Sequence, residues 1–370
     1  MTITHLSGDA EITSIIADAV GNGTAVTMPP GVWELSLAMV DITNFVMCAE
    51  VPGTVTLKPD DLELSIVDIQ NGDGVTIDGI EVDGLYPELG PQDTLSFWGV
   101  DRLQIRDCTV RNGWHRGISL KAAGVQHYDV RVTGCRFYNM ERDAVCLNNA
   151  QGVWVHDCIT DGSNDVAIDL YGCRDVFVVG NSVGNCHQGI GIYSPQGHVV
   201  VRGNSVYAAG SNAIRVSSDD ENPIACAINV EGNMISNVTG NAISLNQPGV
   251  TVQGNVMYLT NTSGIQITAD DTTALKNTVC GAALYAVICD DSEGHYIAHN
   301  VFREPLGGVL LRNARHAVVQ GNSFLNSRDS NDIVEFGTAD YNMVIDNLVR
   351  DRKAIHTTGA HTVVDGTRWH

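Results

Sequence analysis

The chain has 370 residues, 17% of them charged, and 43 Asp and Glu against 21 Lys and Arg give a formal charge of −22. That balance argues against sequence-independent nucleic-acid binding, which needs Lys and Arg clustered on phosphates, and against an anionic membrane surface. A salt-adapted host would account for the acidity equally well.

No apolar run approaches the roughly 18 residues of a membrane span. No charged, apolar, small-residue signal opens the chain, so a cytoplasmic or virion-associated protein is expected. The ten cysteines include no Cys-x-x-Cys pair, which argues against zinc.

In chain order, Ile12, Ile15, Ile16 and Ala19 fall at helical spacing and predict a short amphipathic helix. A strand follows and is stopped by Pro29-Pro30-Gly31. This helix followed by V-x-x-P-x-G-x-W (Val26, Pro29, Gly31, Trp33) resembles the opening of many pectate-lyase-like β-helix proteins, where the helix plugs the first coil. An open solenoid end exposes apolar core and unpaired strand edges. The expected domains are therefore a cap over residues 1–35 and a solenoid over 36–370.

A repeat runs through the rest. Ala167-Ile168-x-Leu170 recurs as Gly189-Ile190-x-Ile192, and Val178-Val179-Gly180-Asn181 as Val201-Arg202-Gly203-Asn204. Aligned this way, one column reads Ile80, Cys108, Cys135, Cys158, then Asn181, Asn204, Asn233, Asn255, Asn277, Asn300, Asn322 and Asn347, with gaps of 22 to 29 residues. Equivalent residues of stacked coils lie about 4.8 Å apart. Buried Asn at that spacing passes side-chain hydrogen bonds from coil to coil. The three Cys read as small packing residues, not disulfides.

A second column set, small-[IV]-x-[ILV], runs from Gly117-Ile118-Ser119-Leu120 through Ala144-Val145-Cys146-Leu147 and Ala167-Ile168-Asp169-Leu170 to Gly264-Ile265-Gln266-Ile267. Weaker copies follow, among them Ile333-Val334 and Ala354-Ile355. Alternation points the branched residues inward and x outward.

The pattern resembles the right-handed parallel β-helix superfamily over nearly the whole chain. Pectate lyases, polygalacturonases, NosD-like proteins, inulin fructotransferases and phage tailspikes share that fold. The expectation is an all-β solenoid of about 12 coils with a short N-terminal capping helix. The last coil, Ala354–Gly366, shows no helix to cover it, and the expectation is partner contact, oligomerisation, a further downstream segment or fraying of that coil.

The outward columns carry the chemistry. Charged and aromatic residues concentrate between Trp98 and Arg215, whereas later coils present Ser, Asn, Thr and Gln. Such a groove suits a glycan, whose rings stack on aromatic faces and whose hydroxyls take charged hydrogen bonds. Candidate substrate-binding residues are Trp98, Trp114, His115, Lys121, Tyr171 and Tyr193. Candidate catalytic residues are Asp143, Asp165, Asp169, His187 and Arg215.

The order also resembles, in part, a polygalacturonase site, with Asn-Thr-Asp, Asp-Asp, Gly-His-Gly and Arg-Ile-Lys on successive coils. Arg142-Asp143-Ala144-Val145 keeps the first Asp, and Asn164-Asp165-Val166 keeps one Asp of the second motif. His187-Gln188-Gly189 has its His one place early, and Ile214-Arg215-Val216-Ser217 loses the Lys. The missing half includes an acid such enzymes need, so the resemblance implies a shared groove location.

Asp143 and Asp165 on adjacent coils would stand roughly 5 Å apart, the separation of a retaining glycosidase, with Asp169 supplying a wider pairing. They also read as turn residues that bond local amides. A lyase would draw on His187, Lys121 and Arg215. Calcium would want a tight acidic cluster. Asp219-Asp220-Glu221 and Asp290-Asp291 look more like loop acids, and neither metal nor cofactor is expected.

The leading expectation is a polysaccharide hydrolase or lyase acting on a polysaccharide or oligosaccharide partner, with neither nucleic acid nor membrane. The alternatives are a homotrimeric virion tailspike or fibre module binding a host glycan, an inulin-fructotransferase-like enzyme, and a non-catalytic structural β-helix.

Overall fold

The computed structural model describes every residue except 1, 86–91, 122–123, 219–225, 329–330, 351–353 and 370. It is a parallel β-solenoid of about 14 turns with one α-helix near the N-terminus. The turns beyond the expected count precede Gly74. There, strands Gly31–Val40, Val46–Ala49, Val55–Lys58 and Val67–Gln70 already stack in parallel with later strands. They lack the Gly-Asn punctuation that made later coils visible.

The chain divides into two compact units, Met1–His187 and Gln188–His370. In the first, helix α1 (Ala10–Asn22) buries Ile12, Ile16 and Ala19, the face its spacing predicts. It ends at Gly23, whose φ of 64° is the left-handed conformation that closes a helix at low steric cost. A strand that sequence periodicity missed, Thr2–Gly8, runs antiparallel to Gly31–Val40.

The core follows from alternation. Val75, Leu103, Val130, Val153 and Val176 stack in register in the first unit, fully buried. Val230, Val252, Ala274, Ile297, Val319 and Val344 do the same in the second.

The Asn column forms the expected ladder. In the second unit Asn204, Asn233, Asn255, Asn277, Asn300 and Asn322 each donate from Nδ2 to the Oδ1 of the next, or, counted the other way, accept from the one before, over 2.9–3.1 Å. Each Oδ1 from Asn233 to Asn322 also takes a backbone amide, as Asn255 Oδ1 does from Asn233 N at 2.9 Å. The other Nδ2 hydrogen reaches a carbonyl of the preceding coil, as in Asn233 Nδ2 to Val201 O at 2.9 Å.

In the first unit the thiols of Cys108, Cys135 and Cys158 point at the equivalent carbonyls of Ile77, Ile105 and Val132, 3.5–3.6 Å away. A thiol is a weak donor that fits the same slot. All ten cysteines are free.

The turns explain the alternation of Asx and Gly. Gly134 has φ 62°, and a Cβ there would stand 2.5 Å from Asp107 Oδ1 on the coil before. The Asp side chain fills the space that glycine leaves.

Candidate carboxylate site in the first unit

Parallel register sets the site. Ser119, Cys146 and Asp169 pair in successive strands, with Ser96 one coil earlier. This is the outward column, expected to face solvent. Instead Ser96 and Ser119 are fully buried and Cys146 is 1% exposed. Three residues earlier in each coil stand Asp93, Arg116 and Asp143, and the two acids are buried as well. Alternation gave the direction of these side chains correctly but not their enclosure.

Asp143 and Asp169 come together. One carboxylate oxygen of each, with Cys146 Sγ, lies within 4.8 Å of the others. Asp143 Oδ2 accepts from Arg116 Nε at 3.0 Å, and its Oδ1 accepts from Val166 N at 3.1 Å. The Cys146 thiol donates to Asp169 Oδ2 at 3.6 Å. Asp169 Oδ1 is buried with no hydrogen-bond partner among the described residues, as are Ser96 Oγ and Ser119 Oγ.

The electrostatics follow. Burial, reinforced by the charge of Asp143, pushes Asp169 up to about 7. Burial also raises Asp143, against the opposing hydrogen bond from Arg116. Burial, with Asp169 beside it, raises the Cys146 thiol well above its ordinary value, so it stays protonated.

Asp165 is half exposed and its Oδ2 accepts from Arg142 Nη2 at 3.2 Å, while its charge adds to the upward shift of Asp143. Arg142 Nη1 faces His115 Nε2 at 3.1 Å, and His115 Nδ1 meets Asp93 Oδ1 at 2.6 Å. Lys121 Nζ lies 3.6 Å from the other oxygen of Asp93.

Sequence reasoning missed Asp93 and Arg116 as site residues. The available signal was their shared offset, three places before Ser96 and Ser119, where Asp143 stands before Cys146.

Trp98 and Trp114 are half buried, and Tyr171 is exposed in register with Asn148. Trp114 lines a small recess with Asp93, Thr94 and Leu64. His187 is exposed and makes no hydrogen bond or ion pair among the described residues. Tyr193 and Arg215 lie in the second unit, where the guanidinium sits 5.6 Å from the Tyr193 ring centre. The Tyr193 hydroxyl accepts from Gln188 Nε2 at 2.5 Å.

The Asp143, Cys146 and Asp169 donors are close enough for a metal ion. Both Asp143 oxygens are already engaged, however, and the thiol is held neutral, so the group favours a proton. Of the other acids considered for calcium, Asp290 pairs with Arg312, and Asp291 accepts from Asn313 at 2.7 Å. Asp219, Asp220 and Glu221 lie outside the described residues.

Two families match parts of the sequence: "Right handed beta helix region" over residues 93–257, and "Periplasmic copper-binding protein (NosD)" over residues 225–369. The chain is a right-handed parallel β-helix.

Two solved β-helices illustrate the likeness. The A-module of the mannuronan C-5 epimerase AlgE4 from Azotobacter vinelandii is 16% identical with a TM-score of 0.57, covering 96% of this chain and 95% of that one. A tailspike protein mutant of E. coli bacteriophage HK620, in complex with a hexasaccharide, is 14% identical with a TM-score of 0.62, covering 95% of this chain and 73% of that one. No curated protein matches the sequence significantly.

Within residues 225–369 no three His, Cys, Asp or Glu donors converge among the described residues, so that β-helix segment does not fit a copper centre built from three such ligands.

Proposed function

We propose that the first unit binds a polysaccharide and transfers a proton to it from Asp169. The observation that carries this reading is the buried pair: an Asp169 oxygen within 4.8 Å of Asp143, with the Asp169 proton retained up to about pH 7. Two carboxyl groups this close resist double ionisation, and an acid titrating near the working pH is the efficient proton donor.

In this reading Asp169 protonates the glycosidic oxygen as the bond to the sugar breaks. Asp143, hydrogen-bonded by Arg116 and Val166 N, keeps negative charge beside the positive charge that develops on the sugar ring; a water then adds to the anomeric carbon and returns its proton to the Asp169 carboxylate, leaving a new reducing end. The separation is close to the roughly 5–5.5 Å of retaining glycosidases and well short of the roughly 6.5–9.5 Å that leaves room for an inverting water.

The column Trp98, Lys121, Asn148 and Tyr171 supports a glycan. It spans about 14 Å over three rungs and places an aromatic ring at each end. The oligosaccharide bound to the tailspike neighbour and the mannuronan named for the epimerase neighbour agree with that substrate class.

The test is incubation with a panel of neutral and uronic polysaccharides, read for new reducing ends. The wild type should release them and Asp169→Asn should not. Equal release by both proteins would remove Asp169 from the chemistry. Neither binding nor release across the panel would refute the reading.

A further inference from the structure

Resting on that reading, the substrate class can be narrowed. We infer that the site selects neutral glycans over uronate-bearing ones, because each cation around the Asp143 and Asp169 pair is already committed to a carboxylate of this chain.

The accounting uses the described residues of the first unit. Arg116 is held by Asp143 at 3.0 Å, Lys121 by Asp93 at 3.6 Å, and Arg142 by Asp165 at 3.2 Å. His115 is itself engaged, its Nδ1 with Asp93 Oδ1 at 2.6 Å and its Nε2 with Arg142 Nη1 at 3.1 Å. Two guanidinium groups and one ammonium group therefore face four carboxyl groups, Asp93, Asp143, Asp165 and Asp169.

A uronate entering this cluster would have to displace an internal carboxylate or stand unpaired beside Asp143, and either is unfavourable in an enclosed site. A neutral sugar instead meets charged hydrogen-bonding partners whose charges are already balanced. The chain's formal charge of −22 acts in the same direction on a polyanion and weakens with salt. A lyase acting on uronates would need an uncommitted cation here, and Lys121, the residue of this unit suited to that task, is bound to Asp93.

The pairs are unequal, and this gives the test its direction. Arg142 and Asp165 are about half exposed, with side-chain exposures of 46% and 39%, so Asp165→Asn should release Arg142 without unsettling the core. The probes are neutral gluco-, manno- and galacto-oligosaccharides alongside oligogalacturonates and oligomannuronates of equal length, followed by calorimetry at low and moderate salt.

The wild type should bind a neutral probe at least tenfold more tightly than any uronic one. Asp165→Asn should narrow that ratio severalfold by strengthening uronate binding, and added salt should reverse the gain. A wild-type preference for a uronic probe overturns the inference while leaving proton transfer by Asp169 standing. An unchanged ratio in Asp165→Asn overturns the charge accounting. Absence of binding to every probe overturns both this inference and the glycan reading beneath it.

Discussion

Replacing Asp143 by Asn tests the electrostatic core of the site. The change keeps an oxygen that can accept from Val166 N but removes a negative charge whose oxygen lies within 4.8 Å of Asp169. Two unit charges at that distance interact by roughly 3 kcal/mol at an effective dielectric constant of about 20. That corresponds to about two pKa units. Loss of its partner also leaves the Arg116 charge uncompensated near Asp169, which acts in the same direction. Burial, the larger cause of the Asp169 shift, remains. Asp169 should therefore titrate near 5 in the variant rather than near 7, still above an ordinary Asp. Carbon-13 NMR of labelled Asp carboxyl groups reads this directly. In a turnover assay, the alkaline limb assigned to the general acid should move down by the same amount. An Asp169 titration within half a unit of the wild type would show that the carboxyl groups are not coupled, and the buried pair would no longer explain a proton donor.

Two further outcomes concern stability. The folded-state pKa of Asp169 is raised above its unfolded value, so folding is favoured most below about pH 4, and that contribution is lost as pH rises through about 7. The loss is on the order of 4 kcal/mol above neutrality. Asp169→Asn should then be more stable than the wild type at pH 8 and about equal at pH 4 in urea unfolding; a pH-independent difference contradicts the assignment. Asn233→Leu removes the acceptor for Asn204 N and Asn204 Nδ2 and the donor to Val201 O. With three stranded buried groups costing about 1–3 kcal/mol each, a loss of roughly 3–9 kcal/mol is expected. Because solenoid coils contact mainly their neighbours, hydrogen exchange should rise most around Asn204 and Asn233, and an unchanged exchange pattern would refute the ladder's energetic role.

The parallel β-helix was legible in the sequence because each coil repeats the same physical demand. An Asn in the ladder meets another Asn over most of its length, and the positive-φ turns favour Asx or Gly, so the period survives substitution elsewhere. It faded before Gly74, where Asp41, Asn44 and Asn71 hold positive-φ turns but the Asn column has not begun, and in Thr2–Gly8, which pairs antiparallel, outside the repeat. Glu335 shows the same limit. Its strand was recognised as a weak copy, yet the residue in register with Leu311 is a fully buried carboxylate. It accepts from Asn342, Thr362, Thr358 N and Gly359 N over 2.6–3.1 Å.

At the site, column position identified Asp143 and Asp169, because register is what the repeat encodes. It did not reveal which acid each cation would take. Asp165 was expected beside Asp143, and its charge does act on Asp143, but the sequence did not show that Arg142, in the same pre-strand position one coil earlier, also reaches Asp165. Nor did alternation reveal that Ser96, Ser119 and Cys146 are enclosed, since it states where a side chain points and not what lies over it.

The fold itself offers a reason for the perturbed acid. Here Asp169 lies in a strand locked in register with the strand that begins two residues after Asp143, by the pairs Val145 with Ile168 and Leu147 with Leu170, all four fully buried. The rung spacing of about 4.8 Å is fixed by backbone hydrogen bonds, so repulsion between the acids cannot be relieved by separation. It is relieved by holding a proton. Arg116, one rung earlier in the column of Asp143, holds that carboxylate by a hydrogen bond, while no described cation pairs with Asp169. The solenoid thus converts a column position into an acid strength. Moving Asp169 two places along its strand would retain an outward carboxyl group while changing the distance to Asp143 that helps hold its pKa up.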